Sequence, residues 1–127
     1  DFERKGALRA IENPTQVACQ EFSDLFVSLA RINKIPSRVV TGYAHTENNR
    51  LRPLSLVEDI LHAWPEYWNE ENQLWQPIDP TWGNTTNGVD YFNQFDLNHI
   101  VLAINGESSS LPYPAGSYKT EGQKKKL

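Results

Sequence analysis

Three side chains of this 127-residue chain could together perform nucleophilic chemistry: Cys19, His62 and Asp79. A thiol attacks a carbonyl carbon only as the thiolate. With a pKa near 8.5, a free thiol is about 3% ionised at pH 7. A helix N-terminus favours the anion by about 1 kcal/mol, and by about 2 in a partly buried site. One pKa unit corresponds to about 1.4 kcal/mol, so the dipole supplies about one unit. An adjacent imidazolium must supply the rest, and a carboxylate must fix its tautomer and steady its charge. Cys–His–Asp is therefore a complete set for acyl transfer. Taken singly, each residue has an ordinary explanation: a small core thiol, a structural histidine, a turn aspartate before proline.

The elements that would position the three can be read from periodicity. Residues 1–12 (DFERKGALRAIE) read as a short helix stopped by Asn13-Pro14. A second helix spans about 18–33, with Phe22, Leu25, Phe26, Leu29, Ala30 and Ile32 at steps of three and four. Cys19 falls in its first turn, on the face of Phe22 and Phe26. Ser37–Ala44 (SRVVTGYA) reads as a strand, and residues 45–56 as a surface loop. Leu61–Trp68 and Leu74–Ile78 read as a hairpin turned by Glu70-Glu71-Asn72, and its pairing would bring His62 and Asp79 to one end. Pro65 cannot donate to a ladder and is expected at an edge or a bulge. Residues 81–90 read as turns and His99–Asn105 as a last strand. Helices first and antiparallel strands after them make an α+β chain with the helix packed on the sheet.

Other candidates are weaker. Trp64, Trp68, Trp75 and Trp82 crowd the proposed site in sequence and read as core rather than substrate platform, with Trp64 and Trp82, nearest His62 and Asp79, as the exceptions. His99 reads as a structural histidine that could otherwise support the trio from behind, and His45 as solvated. A metal on Cys19, His62, Asp79 and His99 would match no compact ligand spacing. Glu66, Glu70 and Glu71 read as a solvated hairpin face, unlike a calcium loop.

Composition narrows the classes further. Hydrophobic residues at 39% and charged residues at 22% describe one globular domain. Twelve basic and sixteen acidic residues give −4. Setting aside Lys119, Glu121, Lys124, Lys125 and Lys126 leaves eight basic and fifteen acidic groups in residues 1–118. So acidic a body argues against a nucleic-acid partner. A single cysteine forbids an internal disulfide, and no apolar run is long enough to insert in a membrane. The chain starts at Asp1 and lacks methionine, so residues 1–118 read as one domain of a longer protein and 119–127 as a disordered Lys-rich tail.

Residues 17–82 resemble the transglutaminase-like superfamily of papain-type thiol enzymes. The motifs are VACQEFSDLFVSLARINKIPSRVVTGYA at 17–44, HAW at 62–64 and DPTW at 79–82. YFNQFDLNHIVLAI at 91–104 is similar to the segment that follows in microbial members. Two positions depart from the usual pattern, Val17 where a glycine is common and Pro65 after HAW. The resemblance implies a papain-like α+β core whose nucleophile helix packs on an antiparallel sheet, with Cys19 as nucleophile, His62 as general base and acid, and Asp79 as orienting carboxylate. It implies no cofactor, a protein or peptide partner, and acyl transfer on peptide or glutamine-type amides. The thioester would pass to water, the preferred outcome, or to an amine as a crosslink. An extracytoplasmic setting is the weak expectation for location. The alternative is a non-catalytic binding or structural domain on the same fold.

Overall fold

The computed structural model describes residues 5–45, 60–85, 90–95, 98–105, 117–120 and 123–126. Most of the expected 45–56 loop therefore lies outside the described residues. The elements are α1 (Ala7–Glu12), a 3₁₀ turn (Pro14–Gln16), α2 (Cys19–Ile32), β1 (Ser37–Ala44), β2 (Ile60–Asn69), β3 (Leu74–Pro77), α3 (Pro80–Thr85), β4 (His99–Ile104), β5 (Ser117–Thr120) and β6 (Gln123–Lys126). The sheet order is β3-β2-β1-β4, every pair antiparallel. Helices on an antiparallel sheet are the expected α+β arrangement.

Helix α2 begins at Cys19 because Ala18 is its extended N-cap. Ala18 has no side-chain oxygen, so the first turn is held from the other direction. Glu21 Oε2 accepts the Ala18 N–H at 3.0 Å, and its Oε1 accepts the Lys5 N–H at 3.1 Å. The helix ends in a Schellman-type turn. Lys34 adopts φ 62°, and the Ile35 N–H bonds to the Ala30 carbonyl at 2.9 Å.

The buried face of α2 follows only part of the apolar stripe the spacing predicts, with Ala30 buried and Phe22, Leu25 and Phe26 half-buried. Ser23, Val27 and Ala30 are buried, while Leu29 is 52% and Ile32 77% exposed. Small side chains let the helix lie close to the sheet, and Cys19 packs with Val27, Val39 and Ala63. Ser23 Oγ, which an apolar count ignores, donates to the Cys19 carbonyl at 2.7 Å.

Pro65 lies inside β2, which is flanked on both sides, rather than at an edge. It pairs with Val39. The Pro65 carbonyl accepts from the Ile78 N–H at 3.1 Å, and the Val39 carbonyl from the Asn105 N–H at 2.8 Å. Both residues thus turn their polar groups away from each other. The missing N–H of Pro65 faces the β3 side, beyond the last ladder pair Glu66↔Pro77. No β1–β2 hydrogen bond is lost.

Glu66 also departs from expectation. It is buried and paired to Arg38 at 2.8 Å, and that guanidinium lies 3.9 Å over the Trp75 ring. Glu70 and Glu71 are exposed, as a solvated turn requires. At the C-terminus β5 and β6 pair as a separate ribbon, where the composition suggests a disordered tail. No helix among the described residues is long and apolar enough to cross a membrane.

Candidate active site

Cys19 is the first residue of α2, partly buried, at the positive end of a 14-residue helix. Val17, one of the two positions that depart from the resemblance, is extended at φ −121°, ψ 161°, a conformation that needs no glycine. His62 lies in β2 opposite Gly42 of β1. A Cβ on Gly42 would come within 1.9 Å of the Ile100 carbonyl oxygen, so the approach of β4 depends on its absence.

Asp79 does not belong to the hairpin ladder, which ends at Glu66↔Pro77. It is the N-cap of α3, a helix that occupies part of the expected turn region. Asp79 Oδ1 accepts the Trp82 N–H at 2.9 Å, and its carbonyl accepts the Gly83 N–H at 2.9 Å. Pro80 stands at N1, where its fixed φ suits a helix start. Asp79-Pro80 is a helix start signal, not only a strand stop. The cap fixes the carboxylate plane and turns Oδ2 toward the sheet.

His62 Nε2 lies 2.6 Å from Asp79 Oδ2, both side chains buried. The Cys19 thiol lies near enough to act on the charge of the imidazole. With Nε2 taken by the carboxylate, Nδ1 is the ring nitrogen left for sulfur. The structure therefore puts His62 in direct contact with Asp79 and places Cys19 near the imidazole.

The electrostatics follow from burial and partners. Burial alone would lower the His62 pKa. The hydrogen bond His62 donates to Asp79 and the interactions of Asp79 and Cys19 with the ring outweigh it, raising the imidazole from 6.5 to about 10. Burial likewise works to raise Asp79. The hydrogen bonds from His62 and His99, the imidazolium charge and the Trp82 N–H overcome it and hold the carboxyl below its usual range.

Aromatic rings enclose the imidazole. Trp82 stacks on His62 at 5.2 Å and 22°, and Trp64 stands 6.0 Å away. Both indoles are fully buried, and their Nε1–H groups find no acceptor among the described residues. They form the walls of the site as buried core residues, not the substrate platform for which the sequence singled them out. His45 is exposed at the end of β1. The His99 side chain is fully buried and its Nε2 lies 2.9 Å from Asp79 Oδ2, the supporting position behind the trio that the sequence offered as its alternative to a purely structural role. β4 reaches the site through its pairing with β1.

His62, Asp79 and His99 could in principle gather round a metal ion, their ligand atoms lying within 4.8 Å of one another. The shared contacts of 2.6 and 2.9 Å are hydrogen-bond separations. Two ligands on a tetrahedral zinc at ~2.0–2.1 Å sit roughly 3.3 Å apart. The arrangement fits protons between these atoms better than a cation.

Comparison with known proteins agrees with the motifs. The family model described as the transglutaminase-like superfamily matches residues 2–80. Over 65 residues the chain is 38% identical to a protein-glutamine gamma-glutamyltransferase of Pseudomonas aeruginosa. That alignment covers 50% of this chain and 10% of the relative, so the chain spans only a small part of that protein. No solved structure matches significantly. On the match over most of its helix-and-sheet core, the chain belongs to the transglutaminase-like superfamily.

Proposed function

We propose that this domain carries out thiol-dependent acyl transfer on peptide or glutamine-type amides, with Cys19 as nucleophile, His62 as acid and base, and Asp79 as the orienting carboxylate. One observation carries the reading: a buried imidazole 2.6 Å from the Asp79 carboxylate and near the Cys19 thiol, with its pKa raised to about 10. Such an imidazole is protonated at neutral pH and stabilises a thiolate beside it.

The thiolate attacks the amide carbon, and the developing oxyanion lies near the Cys19 N–H at the helix start. Collapse expels the amine, which takes its proton from His62 Nδ1. The neutral imidazole then draws a proton from the incoming nucleophile, which attacks the thioester and frees the sulfur. Water as nucleophile completes hydrolysis; a primary amine completes crosslinking. The family and the name of the P. aeruginosa relative support acyl transfer and a protein substrate. Hydrolysis is our preferred outcome.

The test combines labelling and turnover. Iodoacetamide should modify wild-type Cys19 at pH 6 far faster than a free thiol, and a glutamine peptide should release ammonia. Cys19→Ala should abolish both while keeping the wild-type melting curve. Adding a primary amine distinguishes the fates, since incorporated amine means crosslinking. A wild-type thiol no more reactive than free cysteine would favour a binding domain on this fold.

A further inference from the structure

Beyond the three residues of that reading lies a fourth group with a defined position. Asp79 Oδ2 is shared by two imidazoles, His62 at 2.6 Å and His99 at 2.9 Å, while Oδ1 is occupied by the Trp82 N–H at 2.9 Å. We infer that His99 is a positioning residue, whose Nε2–H pins the Asp79 carboxylate so that His62 stays aligned on Cys19. The inference rests on the acyl-transfer reading of the same site.

Three observations carry it. A carboxylate held ionised can only accept, so an Nε2 within hydrogen-bond distance of it must be the donor, whatever the charge of the ring. The His99 side chain is fully buried, which gives it no water with which to exchange that bond. Its ring is also held on several sides: Phe95 at 4.2 Å, Trp82 edge-on at 4.8 Å and Trp64 edge-on at 5.0 Å. An imidazole so caged has little freedom to leave Oδ2. His62 is the mobile partner in acyl transfer, since its proton passes to the leaving amine. In the step where that proton is absent, the His62–Asp79 bond loses the imidazolium charge and weakens. The bonds from His99 and Trp82 then keep the carboxylate where the imidazole will need it.

Two variants separate donor from packing. His99→Phe fills the aromatic cage and removes the N–H; His99→Gln retains an N–H near the Nε2 position. His99→Phe should lower the iodoacetamide rate at pH 6 about tenfold, the expected size for one charge-assisted bond. Its acid limb should also move to higher pH, because Asp79 loses one donor. His99→Gln should restore both the rate and the limb. A purely structural histidine would alter the melting curve without moving the limb.

Wild-type protein labelled with ¹⁵N-histidine provides a measurement independent of variant folding. Two slowly exchanging imidazole N–H protons, from His62 and His99, should shift together on Asp79→Asn. A reactive wild type whose His99→Phe profile matches it overturns the proposal alone. So does a rapidly exchanging His99 proton, the deciding signal if His99→Phe does not fold. An unreactive wild-type thiol removes the acyl-transfer reading and this inference with it.

Discussion

Replacing Asp79 by Asn changes one atom in shape and almost everything in hydrogen bonding. In the native site Oδ2 receives two imidazole N–H groups and Oδ1 receives the Trp82 N–H, with all partners buried. Asparagine offers one acceptor and one amide donor. It caps a helix as well as aspartate does, so its oxygen should stay on the Trp82 N–H. The NH₂ then faces both Nε2 atoms, and His62 can accept it only as the neutral tautomer with hydrogen on Nδ1. That tautomer points a proton at sulfur and cannot take one. In the other rotamer the oxygen serves the imidazoles, and the Trp82 N–H is left buried against an NH₂. One orphaned buried donor costs about 1–3 kcal/mol, and the lost bond to an ionised partner a comparable amount. The variant should therefore lose about 3 kcal/mol in urea denaturation. Amide turnover should fall by on the order of 10⁴, the size of the same change in the serine-protease triad. Iodoacetamide labelling at pH 6 should fall in parallel. Stability within about 0.5 kcal/mol of wild type, or unchanged labelling, would refute the hydrogen-bond assignment.

Further outcomes follow from other positions. Asp79 has a folded pKa below its ordinary 3.8, so its contribution to stability is present above that pH and is lost as pH falls through the lower folded value. Urea midpoints measured from pH 5 downward should show this decline in wild type and a flatter curve in Asp79→Asn. Gly42→Ala sets a methyl group against the Ile100 carbonyl, and the backbone must shift. A loss of about 3 kcal/mol should appear with faster amide exchange in β4, and protected β4 amides would contradict it. Lys34 holds a left-handed conformation that costs a residue with a Cβ about 1 kcal/mol. Lys34→Gly should therefore raise the melting temperature by a few degrees, and a lower value would show that the Lys34 side chain contributes more than its backbone costs.

How much of this was legible in the sequence differs by element. β1 is legible residue for residue, because Ser37–Ala44 combines β-branched and aromatic residues between Pro36 and a polar stretch. The hairpin of β2 and β3 is legible from its turn. The side of β2 on which Pro65 is tolerated is not, since that depends on which neighbour's hydrogen bonds fall at that register. Helix α2 is legible in extent but not in rotation. Side-chain size at Ser23 and Ala30, rather than apolarity at Leu29 and Ile32, decides which face meets the sheet. The meeting of His62 and Asp79 is anticipated in outline, although its route is different: α3, not strand pairing, aims the carboxylate. His99 is named in the sequence only as a weaker alternative, because its place depends on β4 pairing with a strand more than fifty positions earlier.

The thiol and the imidazole beside it are separated by more than forty positions, and the carboxylate behind them follows seventeen later. Such distant groups meet only after the central strands have joined and the helix has docked, the slowest events for a chain with this connectivity. On the proposed acyl-transfer reading, a partly synthesised or misassembled chain would expose an ordinary cysteine rather than an activated one. The intact architecture would then itself serve as the safeguard against premature acylation.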